Sequence, residues 1–185
     1  MLIEKNKKSN AYFLPGWETE MEEFNLMCNS SEKVYVCSPL GASSTKEIYE
    51  NMHHAREFMY LAMQLFDCVP VAPHAYLPVL LNDTVADERN LGLRFGVELL
   101  SVCKHIFVCG PTISAGMAAE IKYAAREGIA IHVFNDLLRG KVEELCEGTN
   151  AKLNYHFGGD FVPLAVPSPK KYFNDKECFL RGLFK

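Results

Sequence analysis

The sequence contains no apolar run long enough to cross a membrane and no excess of basic residues. A charge-free stretch at 68–82 is interrupted by three prolines, so a membrane-spanning helix does not fit there. Three lysines near the N-terminus, Lys5, Lys7 and Lys8, precede no apolar segment, which argues against a signal peptide. The net charge of −4 argues against a protein that coats nucleic acid. We therefore expect a cytoplasmic protein that binds neither membranes nor nucleic-acid duplexes.

Zinc-site spacing is also absent, because no two cysteines form a Cys-x-x-Cys pair. The seven cysteines are odd in number, widely spaced and mostly placed in apolar segments, at positions 28, 37, 68, 103, 109, 146 and 178. Buried free thiols in a reducing cytosol explain this pattern better than a disulfide framework does. We expect the protein to need no metal and no cofactor.

Two nucleotide-binding fingerprints are missing as well. Neither a Gly-x-Gly-x-x-Gly turn after the first predicted strand nor a phosphate loop ending in Gly-Lys-Ser/Thr is present. This absence disfavours the ordinary NAD dehydrogenases and nucleoside triphosphatases. The loop at 38–45 can still hold a phosphate or a ribose through its amides and hydroxyls, because a predicted helix starts behind it. A plain strand-to-helix connection explains that loop equally well.

The remaining composition is that of one folded domain. The chain has 185 residues, of which 49% are hydrophobic and 23% charged. Apolar strand-like runs alternate with helical patterns, the strands at 34–37, 69–72, 105–109 and 129–134 and the helices at 46–66, 86–102, 115–126 and 135–147. This alternation predicts an open, mainly parallel, Rossmann-like α/β sheet with helices on both faces. In the second helix, Leu93, Val97 and Leu100 are expected on one side.

The domain prediction covers residues 32–148. Residues 1–31 are predicted to be an N-terminal helical appendage, and residues 149–185 a C-terminal tail that packs on the domain or on a partner subunit. The tail is rich in aromatic residues, and the appendage carries an apolar stripe around Phe24. Both would expose apolar surface in a monomer, so we expect a homodimer or a higher homo-oligomer.

Ligand-binding residues are expected beyond the carboxyl ends of the strands, where ligands of open parallel sheets collect. The candidates are Ser38, Pro39, Leu40, Gly41, His74, Gly110, Ser114, Gly116 and Met117, together with Asn135 and Asp136 at the end of the fourth strand. Arg89 can add a clamp for a phosphate or a carboxylate. A capped loop histidine and a surface arginine are the simpler explanations of His74 and Arg89.

Glu120 is the candidate of greatest chemical interest. It lies about one turn inside a predicted helix whose start faces the strand ends, among small residues. The helix N-terminus is expected to favour the ionised carboxylate by up to about 1 kcal/mol. An ionised carboxylate beside an anomeric carbon can attack it or stabilise an oxocarbenium-like transition state. A solvated surface glutamate is the ordinary alternative.

The motifs together resemble a known superfamily. Val34 to Pro39, Pro70 to His74, Arg89-x-x-Gly92 and Gly116-Met117-x-x-Glu120-Ile121 are similar in order and spacing to the nucleoside 2-deoxyribosyltransferase-like superfamily, closest to its DUF4406/DUF7768-type bacterial and phage branch. The resemblance covers roughly residues 33–134. It implies a protein that binds a nucleoside or nucleotide and cleaves or transfers at the N-glycosidic bond. Glu120 would then be the nucleophile on the sugar, and Tyr35, with Ser38, would lie near the sugar.

One departure from the superfamily pattern concerns the acid. Active relatives carry an aspartate on the helix before the third strand, and this aspartate helps to protonate the departing base. In this sequence, counting back from the third strand places Val97 at that position, between Gly96 and Glu98. Loss of an acid partner lowers a rate by about 10²- to 10⁴-fold. The alternative hypothesis is therefore a catalytically degenerate module that senses or sequesters a nucleotide. An accessory protein that uses the fold for protein contacts is a third hypothesis.

Overall fold

The computed structural model describes residues 32–82 and 84–167, so the predicted N-terminal appendage and the end of the predicted tail lie outside the described residues. The strands are β1 (Lys33–Cys37), β2 (Val69–Val71), β3 (His105–Val108), β4 (Ala130–Val133) and β5 (Leu153–Tyr155). The helices are α1 (Thr45–Phe66), α2 (Leu77–Leu80), α3 (Ala86–Ser101), α4 (Ala115–Glu127), α5 (Arg139–Cys146) and α6 (Val162–Ala165). Single 3₁₀ turns occur at Pro73–Ala75, Asp136–Leu138 and Gly159–Phe161.

The five strands form one open, all-parallel sheet in the order β2-β1-β3-β4-β5. The predicted fold class is confirmed. The chain moves outward from β1 to β2 and then crosses back to β3 on the other side of β1. Because the connections after β1 and β3 leave in opposite directions, a crevice opens between the carboxyl ends of these two strands.

Alternate side chains of β1 enter two separate cores, one on each face of the sheet. Val34 and Val36 pack with Phe58, Phe66 and Phe107 in the core beneath α1 and α6. Tyr35 and Cys37, which alternate with these valines along β1, enter the core beneath α3, α4 and α5. That core also contains Leu100, Ile106, Met117 and Ile121. This period-two division explains why β1 reads as a continuous apolar run, since both of its faces are covered.

Strand β5 is an element that sequence reasoning missed, because residues from 149 onward were assigned to a tail. Leu153 pairs with Ile131 and Tyr155 with Val133 in parallel register. Farther along, Leu164 and Ala165 are buried in the core beneath α1. A three-residue, half-buried edge strand is too short to give a periodic signal. The first half of the predicted tail therefore continues the sheet and its core.

Helix α3 buries only part of the side that carries Leu93, Val97 and Leu100. Leu100 is fully buried, but the exposed fractions of Leu93 and Val97 are 52% and 39%. The core-facing side of the helix is instead formed by Gly96 and Leu100, since these are its buried residues. By their spacing the three residues share one side of the helix, as predicted, but only Leu100 lies in the core.

The five described cysteines are buried, as expected for them, and no disulfide joins any two of them; they are Cys37, Cys68, Cys103, Cys109 and Cys146. Cys28 and Cys178 lie outside the described residues. Within the described ranges, no helix has the length and apolar character required to span a bilayer.

Gly110 holds the loops at the carboxyl ends of β1 and β3 together. Its φ is +91°, and a Cβ atom there would lie 3.1 Å from Cδ of Pro39. Its amide donates to the carbonyl of Leu164 at 2.8 Å, and its carbonyl accepts from Nδ2 of Asn135 at 3.4 Å. Four segments of the chain therefore meet at this glycine.

We expect Gly110→Ala to destabilise the protein more than Gly128→Ala does. Both positions have positive φ, which costs an alanine about 1–2 kcal/mol, but a Cβ atom at position 128 would meet nothing within 4 Å. The contact with Pro39 should add about 1–3 kcal/mol at position 110. Urea unfolding of the two variants measures the difference, and equal losses of unfolding free energy would contradict the packing role of Gly110.

Candidate active site

A cleft of about 260 Å³ lies at the carboxyl ends of β1 and β2, closed by α2, α3 and the start of α4. The structure brings ten of the predicted site residues to it, namely Tyr35, Ser38, Leu40, Gly41, His74, Arg89, Ser114, Gly116, Met117 and Glu120. Asn135 and Asp136 do not border it. Pro39 and Gly110 do not border the cleft. They pack against each other behind it, so the structure gives them a supporting position instead of the predicted ligand contact.

One face of α3 forms a wall of the cleft that sequence reasoning did not identify. Its residues are Glu88, Arg89, Gly92, Leu93 and Gly96. Glu88, Gly92 and Gly96 are four positions apart, as are Arg89 and Leu93, which is the spacing of one helical face. That pattern was visible in the sequence, but no signal showed which face pointed to the strand ends. The other missed lining residues are Pro73, Leu77, Pro78, Leu81 and Ala115.

Tyr35 and Glu120 form the polar centre of the cleft. The hydroxyl of Tyr35, on β1, donates to Oε1 of Glu120, on α4, at 2.7 Å. Ser114 caps α4 by accepting a hydrogen bond from the amide of Met117 at 3.3 Å. Met117 and Ile121 are buried beneath the helix, and this anchoring directs the adjacent Glu120 toward β1.

Burial raises the pKa of Glu120, although hydrogen bonds from Tyr35 and the thiol of Cys37 act in the opposite direction. Desolvation of the carboxylate therefore outweighs the stabilisation of its ionised form that was expected from the helix N-terminus. Glu120 is the sixth residue of α4, beyond the first turn where the helix dipole acts. Burial and the neighbouring Glu120 also raise the pKa of Tyr35, so its phenol stays protonated and remains a donor.

Ser38 and His74 form a second, uncharged polar pair in the same cleft. Oγ of Ser38 lies 2.8 Å from Nε2 of His74, and both residues are buried. Burial lowers the pKa of His74 to about 4, so the imidazole is neutral at pH 7. A neutral hydroxyl–imidazole pair can both donate and accept, which suits a ligand hydroxyl.

The position opposite the Tyr35–Glu120 pair on α3 is Gly96. A Cβ atom there would lie 3.4 Å from the hydroxyl oxygen of Tyr35 and 3.9 Å from Oε1 of Glu120. Val97, predicted to occupy the place of the acid, does not line the cleft. Gly96 and Val97 are separated by a rotation of about 100° around the helix, so these two positions face different directions. A glycine, not a carboxylic acid, faces the pair.

The molecule is thus an open, parallel α/β domain with a carboxylate in a cleft beside the crevice where its strand order reverses. The family described as "Domain of unknown function (DUF7768)" matches residues 32–134, and the chain belongs to that family. This agrees with the family resemblance of the sequence. No curated protein matches the chain.

Similar solved structures include the following two, of which the first has the same fold. The 2-deoxyribosyltransferase from the psychrotolerant bacterium Bacillus psychrosaccharolyticus is 13% identical, with a TM-score of 0.50, over 72% of this chain and 96% of that chain. A conserved protein from Enterococcus faecalis V583 is 21% identical, with a TM-score of 0.40, over 72% and 86% of the two chains. At these identities the first similarity establishes the fold and nothing further.

Replacing Tyr35 with Phe should raise the pKa of Glu120 further, because the hydrogen bond from Tyr35 favours the ionised carboxylate. Titration of the Glu120 side-chain carboxyl by ¹³C NMR measures this. Tyr155→Phe is the matched control, since Tyr155 donates to Glu143 at 2.8 Å in an exposed pair, and it should leave Glu120 unchanged. A Tyr35→Phe protein with the same or a lower Glu120 pKa would show that the phenol does not favour the charge.

Proposed function

We propose that this protein binds a nucleoside or nucleotide in the cleft and cleaves or transfers its N-glycosidic bond, with Glu120 as the nucleophile. The observation that carries the proposal is the 2.7 Å hydrogen bond from Tyr35 to Glu120 within the cleft. A carboxylate with one oxygen held by a phenol has a fixed orientation and a second oxygen for attack. The 2-deoxyribosyltransferase fold is consistent with this chemistry.

The proposed reaction has two displacements at the anomeric carbon. In the first, a carboxylate oxygen of Glu120 bonds to C1′ while the C1′–N bond breaks, and the departing base keeps the electron pair and takes up a proton. In the second, water or another base attacks C1′, loses a proton and releases the carboxylate of Glu120. Tyr35 steadies the carboxylate in both steps, since its proton remains on the phenol.

The lining of the cleft suits the polar parts of such a ligand. The neutral Ser38–His74 pair is placed to bind sugar hydroxyls. Arg89 borders the same cleft, and a guanidinium is the kind of group that matches a phosphate. Leu77, Pro78 and Leu81 supply an apolar wall for a base.

A binding protein without turnover is the second candidate, and one observation favours it. Gly96 occupies the α3 position that faces Tyr35 and Glu120, where it offers no proton to a departing base. Glu88 is the other carboxylic acid of the cleft, and it accepts a hydrogen bond from the amide of Asn82 at 2.6 Å. Such a protein would sense or sequester the nucleotide.

Glu120→Gln decides between the two candidates. The amide keeps nearly the same volume but cannot form the covalent intermediate, so base release from deoxynucleosides and deoxynucleotides should fall by several orders of magnitude. For a protein that only binds, affinity should change by about 10- to 100-fold, the effect of one charge-assisted hydrogen bond. Chromatography of free base and calorimetry of binding measure the two quantities.

The matched control for that experiment is Glu143→Gln, because Glu143 also accepts from a tyrosine but lies on the surface. It should change neither turnover nor affinity. If Glu120→Gln retained both at full strength, the assignment of the site would be wrong.

We also propose that the protein is a homo-oligomer. The exposed fractions of Leu91 and Phe95 on α3, and of Val102 directly after it, are 51%, 38% and 56%. Their spacing places them on one helical face, away from buried Gly96 and Leu100. A helix that is apolar on two opposite sides is typical of one covered on both.

Light scattering should therefore give a mass of at least twice 20.9 kDa. Replacing Leu91 and Phe95 together with Ser should lower that mass toward the monomer, because the change removes the two larger apolar side chains of this face. The same substitutions at exposed Val79 and Leu80 test whether the effect is specific to α3. A mass near 20.9 kDa at every concentration would exclude the oligomer.

A further inference from the structure

Helix α3 brings two glycines to the wall of the cleft, one of them directly beside Glu120. A Cβ atom at Gly96 would lie 3.9 Å from Oε1 of Glu120 and 3.9 Å from Cγ of Pro73. One turn earlier on the helix, a Cβ atom at Gly92 would lie 3.5 Å from Cδ1 of Leu81. A sugar attacked by Glu120 therefore has backbone and apolar groups beside it on this wall.

The protonated side chains near Glu120 are poor acids at neutral pH. Tyr35 already donates to Glu120 at 2.7 Å, and its raised pKa keeps the proton on the phenol. His74 has a pKa lowered to about 4 by burial, so its ring is not an imidazolium that could release a proton. Ser38 and Ser114 border the cleft with hydroxyl groups, which donate hydrogen bonds but do not give up their protons at this pH.

The other two ionisable groups of the cleft lie at the opposite end of the α3 wall. Glu88 and Arg89 precede Gly96 by eight and seven residues, which is about 12 Å and about 11 Å along the helix axis. Glu88 accepts from the amide of Asn82 at 2.6 Å, and an arginine does not release its proton. Among the lining residues within the described ranges, none is therefore placed to protonate a base beside Glu120.

The charge of the base decides whether its departure needs such a proton. When the N-glycosidic bond breaks, the base keeps the bonding electron pair. A neutral base then leaves as an anion unless it is protonated, and a positioned acid contributes about 10²- to 10⁴-fold to a step of this kind. A base whose ring already carries a permanent positive charge becomes neutral on leaving, so it needs no acid. The side chains beside Glu120 meet the requirements of a cationic base.

The electrostatics around Glu120 also favour a cationic base. Desolvation raises the pKa of Glu120 and so disfavours the ionised form that attacks the sugar. A positive charge within about 4–6 Å of a carboxylate has the opposite effect, so a bound cationic base would stabilise the nucleophile. The ring of His74 is neutral, and Arg89 lies at the far end of the α3 wall, where it suits a phosphate. Neither side chain supplies this charge beside Glu120.

We propose that the substrate of this cleft is a nucleoside or nucleotide whose base is a permanent cation, the class that includes N-glycosylated pyridiniums and N7-alkylated purines. The inference rests on the proposed role of Glu120 as nucleophile. One oxygen of Glu120 bonds to C1′ while the C1′–N bond breaks, and the electron pair stays on the base and cancels its charge. Water then bonds to C1′ and loses a proton to solvent, and the bond to Glu120 breaks with its electron pair returning to the carboxylate.

The first test compares 7-methyl-2′-deoxyguanosine with 2′-deoxyguanosine, which differ by one methyl group and the positive charge that it brings. Nicotinamide 2′-deoxyriboside is the pyridinium arm, and the better of the two charged substrates identifies the kind of base. Each kcat/KM is divided by the rate of base loss without protein, because charged nucleosides also lose their bases faster unaided. An enzyme that protonates its leaving group would accelerate the neutral nucleoside about 10²- to 10⁴-fold more than the charged ones.

This protein should accelerate at least one charged substrate as much as 2′-deoxyguanosine or more. A larger acceleration of 2′-deoxyguanosine than of both charged substrates would overturn the inference and leave the proposed function intact.

Variants of Gly96 test whether the absent proton selects the substrate. An acid at this position would lie beside Glu120, where the like charge raises its pKa and keeps it protonated. Gly96→Asp should therefore raise base release from 2′-deoxyguanosine at least tenfold relative to release from 7-methyl-2′-deoxyguanosine. Gly96→Asn is the matched control, since it has the same size but no acidic proton. Equal ratios for the two folded variants would contradict the inference, and if either variant fails to fold, the substrate comparison on the unaltered protein decides.

A binding measurement separates this inference from the proposed function, because it needs no turnover. In carbocyclic nicotinamide 2′-deoxyriboside a methylene group replaces the ring oxygen, so the base cannot leave through an oxocarbenium-like state. Calorimetry should show that it binds at least tenfold more tightly than its neutral isostere, in which a carbamoylphenyl group replaces the pyridinium. Glu120→Gln should remove this preference, whereas Glu143→Gln, at the exposed pair with Tyr155, should keep it.

Equal affinities for the charged and the neutral analogue would overturn the cationic ligand class. If no substrate loses its base, the proposed function is wrong, and the binding comparison alone then decides the class of ligand.

Discussion

The hydrogen bond between Tyr35 and Glu120 joins the central strand of the sheet to the helix that follows β3, and the chemistry of the cleft depends on it. Two opposing effects act on the carboxylate. Burial disfavours its charge, whereas the phenol of Tyr35 and the thiol of Cys37 favour it. A carboxylate that is desolvated but still hydrogen-bonded is more reactive than a solvated one and has a fixed orientation. Helix α3 presents Gly96 to this pair, where a Cβ atom would be in van der Waals contact with the phenol oxygen of Tyr35.

The position of the pair follows from the strand order. Because the chain turns outward after β1 and back again to β3, the loops after these strands separate and leave a space that no element fills. Gly110 then ties those loops together through Pro39, Asn135 and Leu164. The segment from β5 to α6 therefore supports the cleft without lining it, and its own attachment to the sheet includes a contact between His132 and His156 on the other face.

Much of this arrangement was predictable from the sequence, and the exceptions have physical reasons. Strands with both faces buried, such as β1, gave clear apolar runs, and the strand–helix alternation fixed the parallel sheet and the edge where Ser38, His74 and Glu120 meet. Strand β5 was missed because three half-buried edge residues have no period. Sequence alone does not determine how a helix is rotated, so the count to Val97 could not show that Gly96, and not Val97, borders the cleft. The pairing of Ser38 with His74 joins distant segments, and nothing local encodes it.

The central claim is that Glu120 attacks the anomeric carbon of a nucleoside or nucleotide. The most direct test is peptide mapping by mass spectrometry after rapid acid quenching of the protein mixed with a panel of deoxynucleosides and deoxynucleotides. The account predicts a deoxyribosyl adduct on the peptide that contains Glu120, absent from the Glu120→Gln protein. An adduct on a different residue, or base release by the Glu120→Gln protein at the normal rate, would contradict it.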